Sequence, residues 1–311
     1  MVAALNLRPA APDDAAGWSA WPAPAKLNLF LHVTGRREDG YHLLQTVFHL
    51  LDRGDTVRLR PAADGAVRRH DPLPGIAPEG DLAVRAAVAL REVAGVQRGV
   101  EIAIDKRIPQ GGGLGGGSSD AATVLVALDA LWGLGLGEER LAAIGLGLGA
   151  DVPVFVRGRS AWAEGVGEQL TPLTLPEHWY VVVDPGVRVP TAALFQAPEL
   201  TRDRPHLTIP RFVSGEPVVN AFEPVVRARF PAVARALDWL GLHAAARLSG
   251  SGGCVFAAVA SERSGMELAA QCPPGMRAFV ARGVDESPLL ARLRGAGDPQ
   301  REGHGWGVAK R

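Results

Sequence analysis

The chain has 311 residues, enough for about two domains of roughly 150 residues each. Its 33 Lys and Arg residues balance 33 Asp and Glu residues, and this zero net charge argues against a broad basic surface for nonspecific nucleic-acid binding. The zero net charge remains compatible with one local basic pocket for an anionic ligand. Two cysteines, Cys254 and Cys272, are too few for a disulfide framework or a four-cysteine zinc site, and we interpret them as reduced thiols.

The two ends of the chain are typical of segments without regular structure. Residues 1–22 are rich in Ala and Pro and predict a disordered N-terminal tail, and residues 295–311 predict a C-terminal tail. The first residues lack a cationic start followed by an apolar run, and the longest apolar stretch, 121–136, is too short and interrupted to cross a bilayer. We therefore expect a soluble, cytoplasmic protein without a membrane partner.

Strand-like and helix-like segments alternate between the tails. We predict strands over 25–33, 56–60, 100–104, 179–184, 254–259 and 277–282, an extended or mixed run over 40–51, and helices over 82–93, 118–132, 138–148, 217–230 and 232–242. The mixture predicts a layered fold of the α/β or two-layer α+β class. Pro172 and Pro176 bracket a polar turn, where we place the boundary between an N-terminal domain over 23–177 and a C-terminal domain over 178–294.

The first strand alternates strictly between two kinds of side chain. Lys26, Asn28, Phe30 and His32 share one face, and aliphatic residues occupy the other. This pattern fits a half-exposed strand whose polar face meets water, or a strand that brings Lys26 and Asn28 to the wall of a cleft. Tyr41 and His42 follow. An aromatic ring beside an imidazole can stack on a flat base and read its edge, although a Tyr at a core edge fits the sequence too.

Six glycines in the seven positions 111–117 precede an apolar helix. Glycines before a helix N-terminus leave backbone N–H groups free to bind an anion, and the alternative is a flexible surface loop. We predict Ser118 or Ser119 as the helix N-cap, with Asp120 in the first turn. The run formally contains the G-x-G-x-x-G pattern of an NAD-binding oxidoreductase, but it follows its strand too late for that turn, and no Walker A lysine follows it.

Two further features could take part in a site. Asp151 is the only ionisable residue from Leu146 to Val156, and a carboxylate in such a run needs a partner. It could be a turn or N-cap residue, or a charge held for chemistry by a cation such as Lys26. A second small-residue loop, 249–253, precedes an apolar strand. It predicts either a tight hairpin or a close approach of backbone to a ligand.

Taken together, these motifs resemble the GHMP small-molecule kinases. The phosphate loop of that family, Pro-x-x-x-Gly-Leu-Gly-Ser-Ser, is matched in extended form by residues 109–119. Four segments, 24–29, 36–42, 149–155 and 163–168, narrow the resemblance to members that phosphorylate a cytidyl-linked methylerythritol in the non-mevalonate isoprenoid pathway. The resemblance covers nearly all of residues 23–294. Asp81 departs from it, because the family more often has Asn there, and this puts an adenine-site contact in doubt.

The resemblance implies a two-domain α/β kinase fold with the active site in the cleft between the domains. The enzyme would transfer the γ-phosphoryl group of ATP to the 2-hydroxyl group of the cytidyl substrate, with Asp151 as general base and Lys26 as its charge partner. Residues implied to bind the cytidyl substrate are Asn28, Tyr41, His42 and, on a looser match, Phe195. The implied ATP-binding residues are Pro109, Gln110, Gly111, Gly112, Gly113, Leu114, Gly115, Gly116, Gly117, Ser118 and Ser119. The loop of Ser249, Gly250, Ser251, Gly252 and Gly253 would complete the site.

Several points stay open at the level of the sequence. Mg²⁺ is expected with ATP, but the motifs contain no marked metal ligand. The chain could be another GHMP kinase, of the homoserine or mevalonate type, although the residues around Lys26 and His42 weigh against this. It could also be a non-catalytic nucleotide- or sugar-binding member, which would not need both Lys26 and Asp151. We expect small-molecule partners, and the sequence gives no oligomeric state.

Overall fold

The computed structural model describes residues 13–14, 16–71 and 77–295. The predicted C-terminal tail beyond Gly295 lies outside these residues, as does most of the predicted N-terminal tail. That tail is shorter than predicted, because the first strand already begins at Ser19. The strand that pairs with this first strand extends as far as its beginning, where Ser19 lies opposite Leu59.

The described residues contain ten strands and ten α-helices. The strands are β1 (Ser19–Arg36), β2 (His42–Ala62), β3 (Val67–Arg69), β4 (Gly99–Asp105), β5 (Ala161–Glu164), β6 (Gln169–Pro172), β7 (Trp179–Asp184), β8 (Arg247–Leu248), β9 (Val255–Val259) and β10 (Arg277–Val284). The helices are α1 (Leu82–Ala94), α2 (Gly116–Trp132), α3 (Glu138–Leu146), α4 (Val152–Arg157), α5 (Thr191–Phe195), α6 (Ile209–Val213), α7 (Glu223–Arg229), α8 (Pro231–Gly241), α9 (Glu262–Ala269) and α10 (Pro288–Leu293). The mixed α/β fold class predicted from the sequence is confirmed.

The strands form one sheet that runs through both halves of the chain. Its order is β3-β4-β2-β10-β7-β9-β8, with β1 and the β5–β6 hairpin also paired to β2. The pairs are antiparallel except for β3 with β4. Because β4 is antiparallel to β2, the glycine-rich loop that follows β4 lacks the parallel βαβ setting of a dinucleotide-binding turn. Gly283 and Val284 of β10 pair with β2 and so connect the two halves.

Two main hydrophobic clusters pack on this sheet. One lies between β1, β2, β4 and the helices α1, α2 and α4, and the other lies between β7, β9 and the helices α7 and α8. The predicted domain boundary after residue 177 falls in the loop between β6 and β7. However, α10 returns to the first cluster, where Leu289 is buried. The domain boundary therefore stays a prediction. It would assign α10 to the C-terminal domain, although α10 packs against helices of the N-terminal domain.

Local predictions and the structure differ at two helices. α2 begins at Gly116 with Gly115 at the N-cap, so neither Ser118 nor Ser119 caps it, and the predicted start is wrong. The helix predicted over 217–230 begins only at Glu223, because Asn220 lies extended beside Leu31 of β1. Among the described residues, no helix combines the length and the hydropathy needed to span a bilayer.

Candidate active site

Lys26 on β1 is surrounded by three oxygen atoms. Its Nζ atom lies 3.4 Å from Oδ2 of Asp151, and it donates hydrogen bonds to Oδ1 of Asn28 at 2.5 Å and to the carbonyl oxygen of Gly113 at 3.0 Å. The Lys26 side chain is only 3% exposed, so the half-exposed interpretation of this strand is wrong. An ammonium group has three N–H donors and no acceptor; Asn28 and Gly113 accept two of these hydrogen bonds, and the Asp151 carboxylate lies within ion-pair distance.

Asp151 is the partner of Lys26 that remains accessible. Asp151 is the residue directly before α4, but its carboxylate makes no capping hydrogen bond to that helix. The side chain is 34% exposed, against 3% for Lys26. The carboxylate is therefore held by a charge and open to solvent on another side, which is the arrangement that a group acting on a bound molecule requires.

The glycine-rich loop packs against the second small-residue loop without any intervening side chain. A Cβ atom on Gly113, whose φ is +77°, would lie 2.0 Å from the carbonyl oxygen of Ser249, and a Cβ atom on Gly252 would lie 2.0 Å from the Gly113 nitrogen. Cys254 also donates its backbone N–H to the Gly112 carbonyl at 3.0 Å. Loop 249–253 is therefore a hairpin connection between β8 and β9 whose glycines admit the other loop.

The start of α2 lies beside the lysine, because a Cβ atom on the N-cap residue Gly115 would lie 3.2 Å from Cε of Lys26. The first N–H groups of a helix have no partner within it, so the segment from Gly116 to Ser118 presents free donors and the positive end of the helix dipole. Lys26 donates its backbone N–H to the Leu114 carbonyl at 3.1 Å, which fixes the loop to β1. Helix donors and a buried cation together form a site for an anionic group.

A basic cavity adjoins the start of the glycine-rich loop. Its volume is about 280 Å³, and it is lined by residues 106–110, Asp184, residues 186–188 and Arg277. Arg188 reaches across and donates to the Gln110 side chain. The zero net charge of the whole chain thus conceals a local excess of cations beside this loop.

The residues predicted to bind the nucleobase lie at the end of the β1–β2 hairpin that is far from Lys26. His42 stacks on Phe195, with ring centroids 4.9 Å apart and an interplanar angle of 30°. Arg202 donates to Nε2 of His42 at 3.1 Å. Burial, together with Arg202 and Arg36, lowers the pKa of His42 below 6.5, so its imidazole is neutral at neutral pH. Tyr41 is 65% exposed and offers a free ring.

Asn28 is placed differently from the other predicted substrate-binding residues. Its amide is buried, with Oδ1 accepting from Lys26 and Nδ2 donating to Oγ1 of Thr46 at 2.9 Å. Both polar ends of this side chain are therefore used within the protein, and its contact with a substrate stays a prediction. Its position suits it to orient the Lys26 ammonium group.

Sequence reasoning missed two charge clusters near the site. Asp81 caps α1 by accepting from the Ala83 nitrogen at 2.9 Å, and it lies 3.4 Å from Nη1 of Arg69. Lys106 lies between two buried carboxylates, those of Asp55 and Asp120. No motif signals either cluster, because the partners come from separate elements. Among the described residues, no group of three or more His, Cys, Asp or Glu side chains is arranged to hold a metal ion.

The chain is similar to curated kinases and to solved kinase structures. Models of the GHMP kinases N terminal domain and of the GHMP kinases C terminal domain match residues 81–159 and 211–273. A 4-diphosphocytidyl-2-C-methyl-D-erythritol kinase of Xanthomonas axonopodis pv. citri (strain 306) is 60% identical over 281 residues, which cover 90% of this chain and 95% of that protein. The enzyme of the same name from Halorhodospira halophila (strain DSM 244 / SL1) is 59% identical, over 89% of this chain and 96% of that one.

Among solved structures, a 4-(cytidine 5'-diphospho)-2C-methyl-D-erythritol kinase matches with a TM-score of 0.74 and 37% identity, over 86% of this chain and 100% of that chain. A homoserine kinase from Cytophaga hutchinsonii ATCC 33406 matches with a TM-score of 0.63 and 17% identity, over 88% of this chain and 97% of that chain. At that identity, the second match shows a shared fold alone.

Proposed function

Because the chain belongs to the 4-diphosphocytidyl-2-C-methyl-D-erythritol kinases of the GHMP family, we propose that it transfers the γ-phosphoryl group of ATP to the 2-hydroxyl group of 4-diphosphocytidyl-2-C-methyl-D-erythritol. The products are the 2-phosphate and ADP. Membership establishes an ATP-dependent small-molecule kinase, and the substrate and the residue roles are the proposal. The observation that carries it is the Lys26–Asp151 pair against the Gly113 carbonyl.

Asp151 acts in the proposed reaction as the general base. Its exposed carboxylate accepts the proton of the substrate hydroxyl group as that oxygen attacks the γ-phosphorus. Phosphoryl transfer passes through a loose transition state, so the proton leaves late and a carboxylate base is sufficient. Lys26 holds this carboxylate in place and balances the charge that develops on the transferred group.

The glycine-rich loop holds the phosphate groups of ATP in this proposal. The free N–H groups at the start of α2 bind phosphate oxygens, and the basic cavity beside the loop attracts the polyanion. Mg²⁺ enters as part of the MgATP substrate, since the described residues hold no metal cluster of their own. The site lies where the two proposed domains meet, with loop 249–253 contributed by the second.

The distance between the two ends of the site favours an elongated substrate. His42 lies eight residues along β2 from Leu50, the residue that pairs with Lys26. The base and the sugar alcohol of the cytidyl substrate are separated by a diphosphate, so one molecule can approach both ends. Phe195 and Tyr41 supply stacking surfaces for cytosine, and the N–H on Nδ1 of neutral His42 supplies a donor.

A substrate panel tests this function. The release of ADP from ATP is measured with the cytidyl substrate, homoserine and mevalonate in turn, and we expect turnover with the first alone. Preferential turnover of homoserine or mevalonate would assign the chain to another GHMP activity. Binding of ATP without turnover of any of the three would support a non-catalytic member of the fold.

A further inference from the structure

A buried charge cluster lies behind the glycine-rich loop and includes Lys106, which also lines the basic cavity. Lys106 follows β4, and its Nζ atom bonds to Oδ2 of Asp55 on β2 and, at 2.6 Å, to Oδ2 of Asp120 on α2. The Asp55 and Asp120 side chains are almost fully buried. One ammonium group thus joins the strand, the segment that enters the loop, and the helix that leaves it.

Asp55 also fixes the backbone at the entrance of the loop. Its Oδ1 atom accepts the backbone N–H groups of Arg107 and Ile108, the latter at 2.7 Å. Ile108 in turn lies against the backbone of Gly116 at the start of α2, where a Cβ atom would come within 3.1 Å of it. The position of Asp55 on β2 therefore sets where the loop begins and where the helix donors point.

The cluster contains one more acid than base. With both carboxyl groups ionised, its charge would be −1, directly behind the N-terminus of α2. Oδ1 of Asp120 is buried and has no hydrogen-bond partner among the described residues, which penalises its ionised form. Burial raises the pKa of Asp120 to about 7; Lys106 opposes this rise and Asp55 adds to it. The pKa of Lys106 is also raised, because the two carboxylates outweigh the effect of burial.

We propose that Asp55, Lys106 and Asp120 are positioning residues for the glycine-rich loop, and that ATP binds best when a proton on Asp120 makes this cluster neutral. This rests on the proposed function, in which the loop holds the ATP phosphates. Loss of the proton places a negative charge behind donors that must face a polyanion, so it weakens binding. By linkage, bound ATP favours the protonated cluster to the same extent.

Acidic groups on the neighbouring elements are paired with arginines, and two further arginines, Arg107 and Arg188, line the cavity beside Lys106. Asp81 at the start of α1 faces Arg69 of β3, and Asp105 at the end of β4 is bonded to Arg58 of β2 at 2.9 Å. Each of these pairs is neutral, and the arginines keep their charge between pH 6 and pH 9, so the titration of Asp120 changes the charge behind the loop. Asp105 precedes Lys106 directly, and its exposed pair makes it a matched control.

The test is direct binding of ADP and of a non-hydrolysable ATP analogue between pH 6 and pH 9. We compare the wild type with Asp120→Asn, whose amide oxygen can still accept from Lys106, and with Asp105→Asn. Ionisation of the nucleotide is the same for all three proteins, so it cancels in a ratio of Kd values. We expect Kd of the wild type relative to Asp120→Asn to rise by about 3- to 10-fold across this range, and Asp105→Asn to follow the wild type.

A second variant separates positioning from folding. We expect Asp55→Asn to raise KM for ATP by about 10-fold, with KM for the cytidyl substrate within about 2-fold of the wild type, because one charge-assisted acceptor of the loop entrance is lost. A role in stability alone would lower Tm without this selective rise. A wild-type to Asp120→Asn ratio that stays constant with pH, or an unchanged KM for ATP in folded Asp55→Asn, overturns the proposal. A wild type that binds no ATP at any pH would instead remove the proposed function.

Discussion

The Ser249 hydroxyl group and the Lys26 ammonium group donate hydrogen bonds to the same acceptor, the Gly113 carbonyl oxygen, each at 3.0 Å. Ser249 also accepts the backbone N–H of Asn28 at 3.3 Å. Three segments distant in sequence are thus held at one oxygen atom. Ser249 takes no part in the proposed chemistry, but it places the loop that carries Gly113 against the lysine that the chemistry uses.

Loss of this hydroxyl group tests that connection. We expect Ser249→Ala to reduce kcat by about 3- to 10-fold, because a hydrogen bond of this kind contributes about 1 kcal/mol. Ser249→Thr keeps the hydroxyl group and should restore most of the rate. Ser251→Ala is the control, since that hydroxyl group meets Thr191 at the exposed rim of the same loop. Equal losses in the Ala and Thr variants of Ser249 would show that packing, and not the hydrogen bond, matters.

Removal of the Asp151 carboxylate tests its proposed role as the general base. We expect Asp151→Asn to lower kcat by about 10²- to 10⁴-fold while ATP still binds, because the amide keeps the shape but accepts no proton at neutral pH. The steady-state rate and the affinity for ATP, measured separately, check this. Asp238→Asn removes an exposed carboxylate paired with Arg227 and should leave both unchanged. Near-normal turnover by Asp151→Asn would exclude the catalytic role.

The local part of this site could be predicted from the sequence, because its signals are local. Strict alternation placed Lys26 and Asn28 on one face of a strand, and the glycines before an apolar helix marked a loop with free donors. Asp151 stood out as one acid in an apolar run. The pairing of Asp151 with Lys26 was one of two alternatives until the structure placed them 3.4 Å apart.

The parts that were missed depend on contacts across long stretches of chain. The polar face of β1 is buried because Ser249, far along the chain, packs on Asn28. The alternation of side chains along β1 cannot indicate that a distant residue covers this face. The cluster around Lys106 likewise joins β2 to α2. The start of α2 was misplaced because Gly115, with a φ of +74°, is the N-cap without a capping side chain, whereas preference favours serine.

The close approach of the two loops gives a sharp steric prediction. We expect Gly113→Ala to destabilise the protein by at least about 2 kcal/mol, because of the positive φ and of the backbone oxygen that a Cβ atom would meet. Thermal unfolding measures this effect. Gly241→Ala adds the same methyl group at the end of α8, where nothing lies within 4 Å, and should have little effect. An unchanged Tm of Gly113→Ala would mean that the loops are not in contact.

Removal of the His42 imidazole tests the end of the site that is proposed to bind the cytosine base. We expect His42→Ala to raise KM for the cytidyl substrate by about 10-fold with KM for ATP unchanged, because one donor to the base and one stacked ring are lost. His243→Ala is the control, since that ring packs on Trp239 of α8. An unchanged KM for the cytidyl substrate would exclude contact between His42 and the base.

The lowered pKa of His42 predicts where substrate binding becomes sensitive to pH. Burial, Arg202 and Arg36 all lower this pKa from the ordinary value of 6.5, so the ring protonates at a lower pH than a free imidazole does. Protonation at lower pH would oppose two cations and remove the acceptor that Arg202 uses. We therefore expect KM for the cytidyl substrate to rise as the pH falls, with a midpoint below the 6.5 of a free imidazole. In Arg202→Gln the rise should begin at a higher pH, whereas Arg229→Gln, which removes an exposed arginine paired with Glu199, should leave it unchanged. A wild-type midpoint at or above pH 6.5 would assign the titration to another group.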